Sequence, residues 1–120
     1  VGCEPAGADD AARGIALGER IVDFVPHTIA DGLRTPLGEN TFQIIRELGD
    51  DIVLVSEVDI VRAMRFIWER MKIVIEPSSA VAVAPVLNGS IEVKGKRVGV
   101  IVSGGNVDLT QFFELLEAKA

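Results

Sequence analysis

Arg97-Val98-Gly99-Val100-Ile101-Val102-Ser103-Gly104-Gly105-Asn106 reads as a strand running directly into a glycine loop, with Asp108 placed to cap a helix behind it. The apolar run does not alternate with polar residues, so both faces of the strand need cover, as in a parallel sheet. Open α/β sheets put their ligand sites at the carboxyl ends of such strands. There the glycines let the backbone approach a ligand, while Ser103 and Asn106 bring hydrogen-bonding groups. The plainer alternative is a strand-to-helix turn whose glycines satisfy backbone angles only.

Working outward, Leu109, Phe112, Phe113, Leu115 and Leu116 give the last helix a broad apolar face. Upstream, Gly89 to Lys96 is a polar turn region. Before it, a helix is expected from Pro77, with proline at its first position, through small apolar residues to Asn88-Gly89. Small residues on nearly every face imply burial between neighbours. The clearest helix begins after Ser56, where Ser56-Glu57-Val58-Asp59 resembles a capping box with Asp in the usual Glu place. Its apolar positions Ile60, Met64, Ile67, Trp68 and Met71 recur at helical spacing and read as core packing.

Ile52 to Val55 is a short β-branched strand, and a helix from about Thr41 to Leu48 precedes it. His27 to Gly38 has turn formers and no period, so it is an ordered loop or crossover of the kind that carries function. Ile21 to Val25 is a strand candidate stopped by Pro26, Ala6 to Leu17 a helix, and Val1 to Cys3 the end of a buried strand. Strands alternating with helices predict an α/β fold of three layers, a mostly parallel sheet flanked by helices. No linker or repeat divides residues 1–120, which read as a single domain.

Of the 120 residues 48% are apolar, and 12 Lys+Arg stand against 18 Asp+Glu for a net charge of -6. That composition excludes a disordered chain, and without a basic patch no nucleic-acid partner is expected. No membrane partner is expected either. The longest apolar run, Ala80 to Leu87, has eight residues and contains Pro85, whereas a spanning helix needs about 20. One cysteine, Cys3, forms no internal disulfide, which points to a reducing, cytoplasmic setting. The chain starts at Val1 with no signal-like segment, and the expectation is that it is part of a longer polypeptide.

Two acidic features stand out. In Glu4-Pro5-Ala6-Gly7-Ala8-Asp9-Asp10, a turn can bring the Glu4 and Asp10 carboxylates and an intervening carbonyl onto a hard cation, Mg²⁺ or Ca²⁺. Alternatively, Asp9 and Asp10 only favour a helix N-terminus. Glu76, between Ile73-Val74-Ile75 and Pro77, reads as a buried acid in need of a partner. His27 has no Ser, Cys or Asp at a spacing that supports a triad.

Four segments taken together, EPAGADDA (4–11), TIADGLRTPLGENTF (28–42), IWERMKIVIEPSSAVAVAPVL (67–87) and VIVSGGNVDL (100–109), resemble in order the C-terminal part of serine racemases and short serine/threonine dehydratases. These are pyridoxal-phosphate enzymes of the tryptophan-synthase-β-like fold, called fold type II. The resemblance covers nearly the whole chain and implies the C-terminal half of the large domain. The short tail after the last motif points away from the long allosteric threonine dehydratase with its regulatory domain.

By this resemblance Ser103 matches the serine at the pyridine nitrogen of pyridoxal 5'-phosphate, with Gly104 and Asn106 in the same loop. A neutral hydroxyl there does not enforce ring protonation, so the ring is a weaker electron sink and elimination can compete. Glu76 matches an acid near the cofactor ring, and Gly32 a backbone position lining the site. Glu4, the carbonyl of Ala8 and Asp10 match a divalent-cation site. Lys72 and Asn106 match a nucleotide site, with ATP as effector, at the interface of a homodimer. The implied activity is conversion of serine, threonine or 3-hydroxyaspartate to a 2-oxo acid and ammonia, or racemisation of serine.

The family's cofactor-bearing lysine lies in an N-terminal Ser-x-Lys-x-Arg segment, which Lys72, Lys94, Lys96 and Lys119 do not match. The Asn-containing substrate loop, the glycine-rich phosphate cradle and the second-base serine of racemisation are absent too, so these 120 residues are expected to be inactive alone. The competing reading is a free-standing nucleotide- or anion-binding α/β module with Ser103-Gly104-Gly105-Asn106 as its ligand loop. It leaves the other three segments as coincidences.

Overall fold

A computed structural model describes residues 1–119. Strand β1 (Gly2–Pro5) pairs in parallel with β2 (Ile52–Val55), Gly2 opposite Ile52 and Pro5 opposite Val55. Backbone bonds from Gly2 to Asp51 and from Ala6 to Val55, both 2.8 Å, bracket the ladder. Between the strands lie helix α1 (Asp10–Leu17), a single 3₁₀ turn (Asp31–Leu33) and helix α2 (Glu39–Leu48). A parallel pair requires such a crossover.

Helix α3 (Glu57–Met71) begins as its capping box predicts. The Ser56 hydroxyl accepts the Asp59 N–H at 3.2 Å and donates to the Asp59 carboxylate at 2.8 Å. Its buried face is Ile60, Val61, Ala63, Met64 and Ile67, whereas the expected stripe member Met71 is 55% exposed. The chain leaves α3 at Lys72, whose left-handed φ of 60° ends the helix.

The helix expected from Pro77 to Asn88 is instead two single turns, α4 (Pro77–Ala80) and α5 (Ala84–Leu87), joined through Val81–Val83. Pro85 has no N–H to donate back to the preceding turn, so the ladder cannot run through it. Burial was read correctly: Ser79, Ala80, Val81, Ala84 and Pro85 are buried. Helix α6 (Leu109–Lys119) is capped by Asp108, whose carboxylate accepts the Gln111 N–H at 2.9 Å. Of its expected apolar face only Phe112 is fully buried, against Trp68 of α3 at a ring separation of 4.5 Å; Leu109 and Phe113 are about half exposed.

Two expected strands, Ile21–Val25 and Arg97–Val102, carry no ladder among the described residues. A strand is defined by a hydrogen-bonded neighbour, and neither segment has one here. Val98, Val100, Ile101 and Val102 are 39–82% exposed, so the apolar cover that their sequence demands is not supplied by the described residues. No described helix is long and apolar enough to cross a membrane. The core joins Ala30, Val55, α3, Ile75, α4, α5 and Phe112, and the carboxyl ends of both strands open on the same side of it, beneath the 26–34 loop.

Candidate functional site

Three stretches remote in sequence meet at the start of α4. Glu76 is its N-cap residue, and the following Ser78 and Ser79 sit in its only turn. From the 3₁₀ turn, the Gly32 N–H donates to Ser78 Oγ at 3.0 Å, and a Cβ on Gly32 would meet that oxygen at 2.9 Å. From the glycine loop, the Gly104 N–H donates to Ser79 Oγ at 2.7 Å and the Asn106 N–H donates to Glu76 Oε2 at 2.9 Å. In return the Glu76 N–H donates to the Gly104 carbonyl at 3.1 Å.

The loop between Ser103 and Asn106 is therefore held from below by Glu76 and Ser79, and its glycines are required sterically. A Cβ on Gly104 would meet the Glu76 carboxyl carbon and both oxygens at 2.8 Å, and one on Gly105 would meet the Val74 carbonyl at 2.7 Å. The Ser103 hydroxyl lies 3.3 Å from Ser79 Oγ. Ser103 and Asn106 are exposed, while Ser79 is 1% exposed beneath them. Of the five residues expected at a cofactor, Gly32, Glu76, Ser103, Gly104 and Asn106, all fall in this cluster.

The 26–34 loop is fixed from α3. Glu57 Oε2 accepts the Ile29 N–H at 2.9 Å, and the Arg34 guanidinium donates twice to the Thr28 carbonyl at 2.9 and 2.7 Å. A cleft of about 730 Å³ opens beside the cluster, with Asp31, Arg34, Pro77, Asn106 and Phe112 among its lining residues. Sequence reasoning missed Glu57, Ser78 and Ser79. The available signal was two adjacent hydroxyls just inside a helix otherwise built of small apolar residues, where a hydroxyl has no solvent to satisfy it.

The acidic turn forms a second cluster at the end of β1. Asp9, although at the N-cap position, makes no capping bond with its side chain. Glu4 does so instead: its Oε1 accepts the Ala11 N–H at 3.1 Å and its Oε2 the Ala12 N–H at 2.9 Å. Burial pushes the Glu4 carboxyl above its ordinary value against these two amides, and the charges of Asp10 and Asp9 push it further. Asp10, 4% exposed, is raised by burial as well, opposed by backbone amides and Arg13. Among the described residues no hydrogen bond reaches the Ala8 carbonyl, and no three His, Cys, Asp or Glu side chains converge on one point. Glu4 and Asp10 offer carboxylate oxygens and Ala8 a carbonyl, the donor chemistry that suits a hard cation, and Glu4 already spends both oxygens on the amides of α1.

Lys72 and Asn106 are not joined to each other. The Lys72 ammonium donates to the Glu69 carbonyl at 2.7 Å, closing the end of α3, while Asn106 belongs to the Glu76 cluster. Cys3 is half-buried and its thiol is pushed up by burial, as for an inert packing residue.

Residues 1–104 match the family described as pyridoxal-phosphate dependent enzyme. The chain is 49% identical over 117 residues to a serine racemase of Dictyostelium discoideum, covering 94% of this chain and 36% of that protein. It is 44% identical to an L-threo-3-hydroxyaspartate ammonia-lyase of Saccharomyces cerevisiae, covering 98% of this chain and 36% of that protein. The solved structure of maize serine racemase superposes with a TM-score of 0.84 at 39% identity, over 97% of this chain and 37% of that one. The chain thus spans little more than a third of the relatives that it matches.

Proposed function

Because the chain belongs to the family of pyridoxal-phosphate dependent enzymes, we propose that it forms the C-terminal half of the large domain of a serine/threonine dehydratase or serine racemase. The observation that carries this reading is the convergence of the Gly32 turn, Glu76 and the Ser103–Asn106 loop, three of the motifs on which the resemblance rests, within one hydrogen-bonded cluster. A free-standing module has no reason to bring them together.

Pyridoxal phosphate, when bound, supplies an electron sink for charge developing at the substrate α-carbon. Ser103 would meet the pyridine nitrogen, and the Gly104–Asn106 backbone would line the ring. Glu76 holds that backbone by accepting the Asn106 N–H, and Gly32 gives the facing wall its close approach. The net reaction is conversion of a small β-hydroxy amino acid to a 2-oxo acid and ammonia, or inversion at its α-carbon. The proton-moving lysine and the groups that read the substrate would come from the upstream part of the protein.

Glu4, the Ala8 carbonyl and Asp10 would hold Mg²⁺ or Ca²⁺, a reading supported by the raised carboxyls and the unbonded carbonyl. Lys72 and Asn106 as part of a nucleotide site, assembly as a homodimer and a cytoplasmic location rest on the resemblance and the single cysteine. The test is to load the complete protein with cofactor, add L-serine, threonine or 3-hydroxyaspartate, and measure 2-oxo acid and D-serine. A protein with neither cofactor absorbance nor either product would overturn the reading.

A further inference from the structure

The cleft of about 730 Å³ is lined by Ile29, Asp31 and Arg34 from the 26–34 loop and by Asn106 and Asp108 from the glycine loop and its cap, so the placing of the first loop sets the shape of the cleft. That loop is stiff within itself. The Arg34 guanidinium binds the Thr28 carbonyl twice, Thr28 Oγ1 accepts the Ala30 N–H at 3.1 Å, and the Ala30 carbonyl accepts the Leu33 N–H at 3.0 Å. It therefore moves as a unit, and what fixes Ile29 also fixes Gly32. Packing alone does not wedge it in place, because a second cavity of about 390 Å³, lined by Pro26, His27, Thr28, Ile29, Arg34 and Glu57, adjoins it. Ala30, 0% exposed, seats the loop on the core, but an apolar contact has no direction.

Direction comes from hydrogen bonds to groups outside the loop: the His27 N–H to the Gly7 carbonyl at 2.7 Å, the Ile29 N–H to Glu57 Oε2 at 2.9 Å and the Gly32 N–H to Ser78 Oγ at 3.0 Å. Glu57 is the only carboxylate among these acceptors, and it is used on one side. Its Oε1 is buried with no hydrogen-bond partner among the described residues. A buried acceptor left unpaired is unfavourable and calls for an explanation, which the bond to the loop supplies. We propose that Glu57 is a positioning residue: from the second cavity, outside the cleft, it struts the 26–34 loop and so holds the Gly32 wall where the substrate fits. The proposal rests on the placing of Gly32 at the active-site wall under Proposed function. The glycine loop is held separately, by Glu76 and Ser79, so the strut acts on the substrate side and leaves the cofactor side alone.

A wall that is in place for only about a tenth of the time weakens apparent affinity tenfold without slowing the bound complex. In the complete, cofactor-loaded protein, Glu57→Ala is accordingly expected to raise KM for the best of L-serine, threonine and 3-hydroxyaspartate roughly tenfold, with kcat and cofactor absorbance unchanged. Glu57→Gln, which keeps an acceptor for the Ile29 N–H, restores most of the affinity. Glu57→Asp, one methylene too short, behaves as the alanine variant does and takes its place if that variant fails to fold. Amide exchange followed by NMR is expected to quicken at Ile29 and Gly32 and to stay the same at Gly104 and Asn106. An unchanged KM, a fall in kcat alone, or a Glu57→Gln protein as impaired as Glu57→Ala overturns the proposal. A wild-type protein with neither cofactor absorbance nor product overturns the reading beneath it, while exchange at Ile29 and Gly32 still judges the strut.

Discussion

The carboxyl group of Glu76 occupies the space that a side chain on Gly104 would need, with all three of its terminal atoms 2.8 Å from a Cβ built there. The backbone of Gly104 is not in the left-handed region, so the exclusion is steric. Gly104→Ala must therefore swing Glu76 aside and break its bond from the Asn106 N–H. For a half-buried charged acceptor the cost should be about 1–2 kcal/mol. Glu76→Gln, which keeps an acceptor, should cost less. Once Glu76 is shortened to alanine, the Gly104→Ala change should become nearly free. Denaturant unfolding of the complete protein with the two single variants and the double variant checks this, and strictly additive costs would rule out the contact as the cause.

Glu4 stabilises the protein as a helix cap whether or not a cation is present. Glu4→Ala leaves the Ala11 and Ala12 N–H groups without their acceptor and should cost about 2 kcal/mol in chelator. Glu4→Gln retains one of the two bonds and should cost about half as much. Asp9→Ala loses a surface pair with Arg13 worth about 0.3 kcal/mol and removes a like charge from beside Glu4 and Asp10, so its net cost should be small. Adding Mg²⁺ should raise the melting temperature of the wild type by mass action. Glu4→Ala should abolish that rise, and its persistence would separate the acids from any metal role.

The raised carboxyls of Glu4 and Asp10 set a pH dependence with a definite sign. Between the ordinary and the raised values the folded state binds more protons than the unfolded one, so stability falls as pH rises through that window. Acidification from neutral pH should therefore relieve this penalty in chelated protein. Asp10→Asn should flatten the dependence by removing its share. A cation has the opposite linkage, because it needs both groups ionised. Its binding should release protons inside the window and none well above it. Calorimetry in two buffers of different ionisation enthalpy measures that count, and proton uptake would contradict the assignment.

Local signals in the sequence carried over where the physics is local. Ser56 caps α3 through Asp59, Asp108 caps α6, and the β-branched run Ile52–Val55 pairs with the chain's first residues. What depends on distant partners was less legible. Arg97–Val102 has the composition of a central strand but no ladder here, because pairing belongs to a neighbour and not to the run itself. The charge of Glu4 suggests a cation ligand, whereas in the fold both of its oxygens cap α1 at Ala11 and Ala12. Ser79 lies inside the 67–87 segment with no role legible from it, and only the folded proximity of residues 79 and 104 gives it one.

Phe112 links this loop to the core. Its ring is 2% exposed and stacks on Trp68 at 4.5 Å, one turn after the Asp108 cap that follows the glycine loop. Phe112→Ala should cost about 3–5 kcal/mol through the lost burial and the cavity left beside Trp68. Phe113, 55% exposed and meeting Trp68 edge-on at 6.4 Å, should cost about 1 kcal/mol or less when truncated. Because α6 anchors the far end of the loop, Phe112→Leu should also loosen cofactor retention in the complete protein, whereas Phe113→Leu should not. Dialysis of loaded protein against cofactor-free buffer gives the retention half-time of each variant. Equal half-times for Phe112→Leu and Phe113→Leu would mean that the Glu76 and Ser79 contacts hold the loop without help from α6.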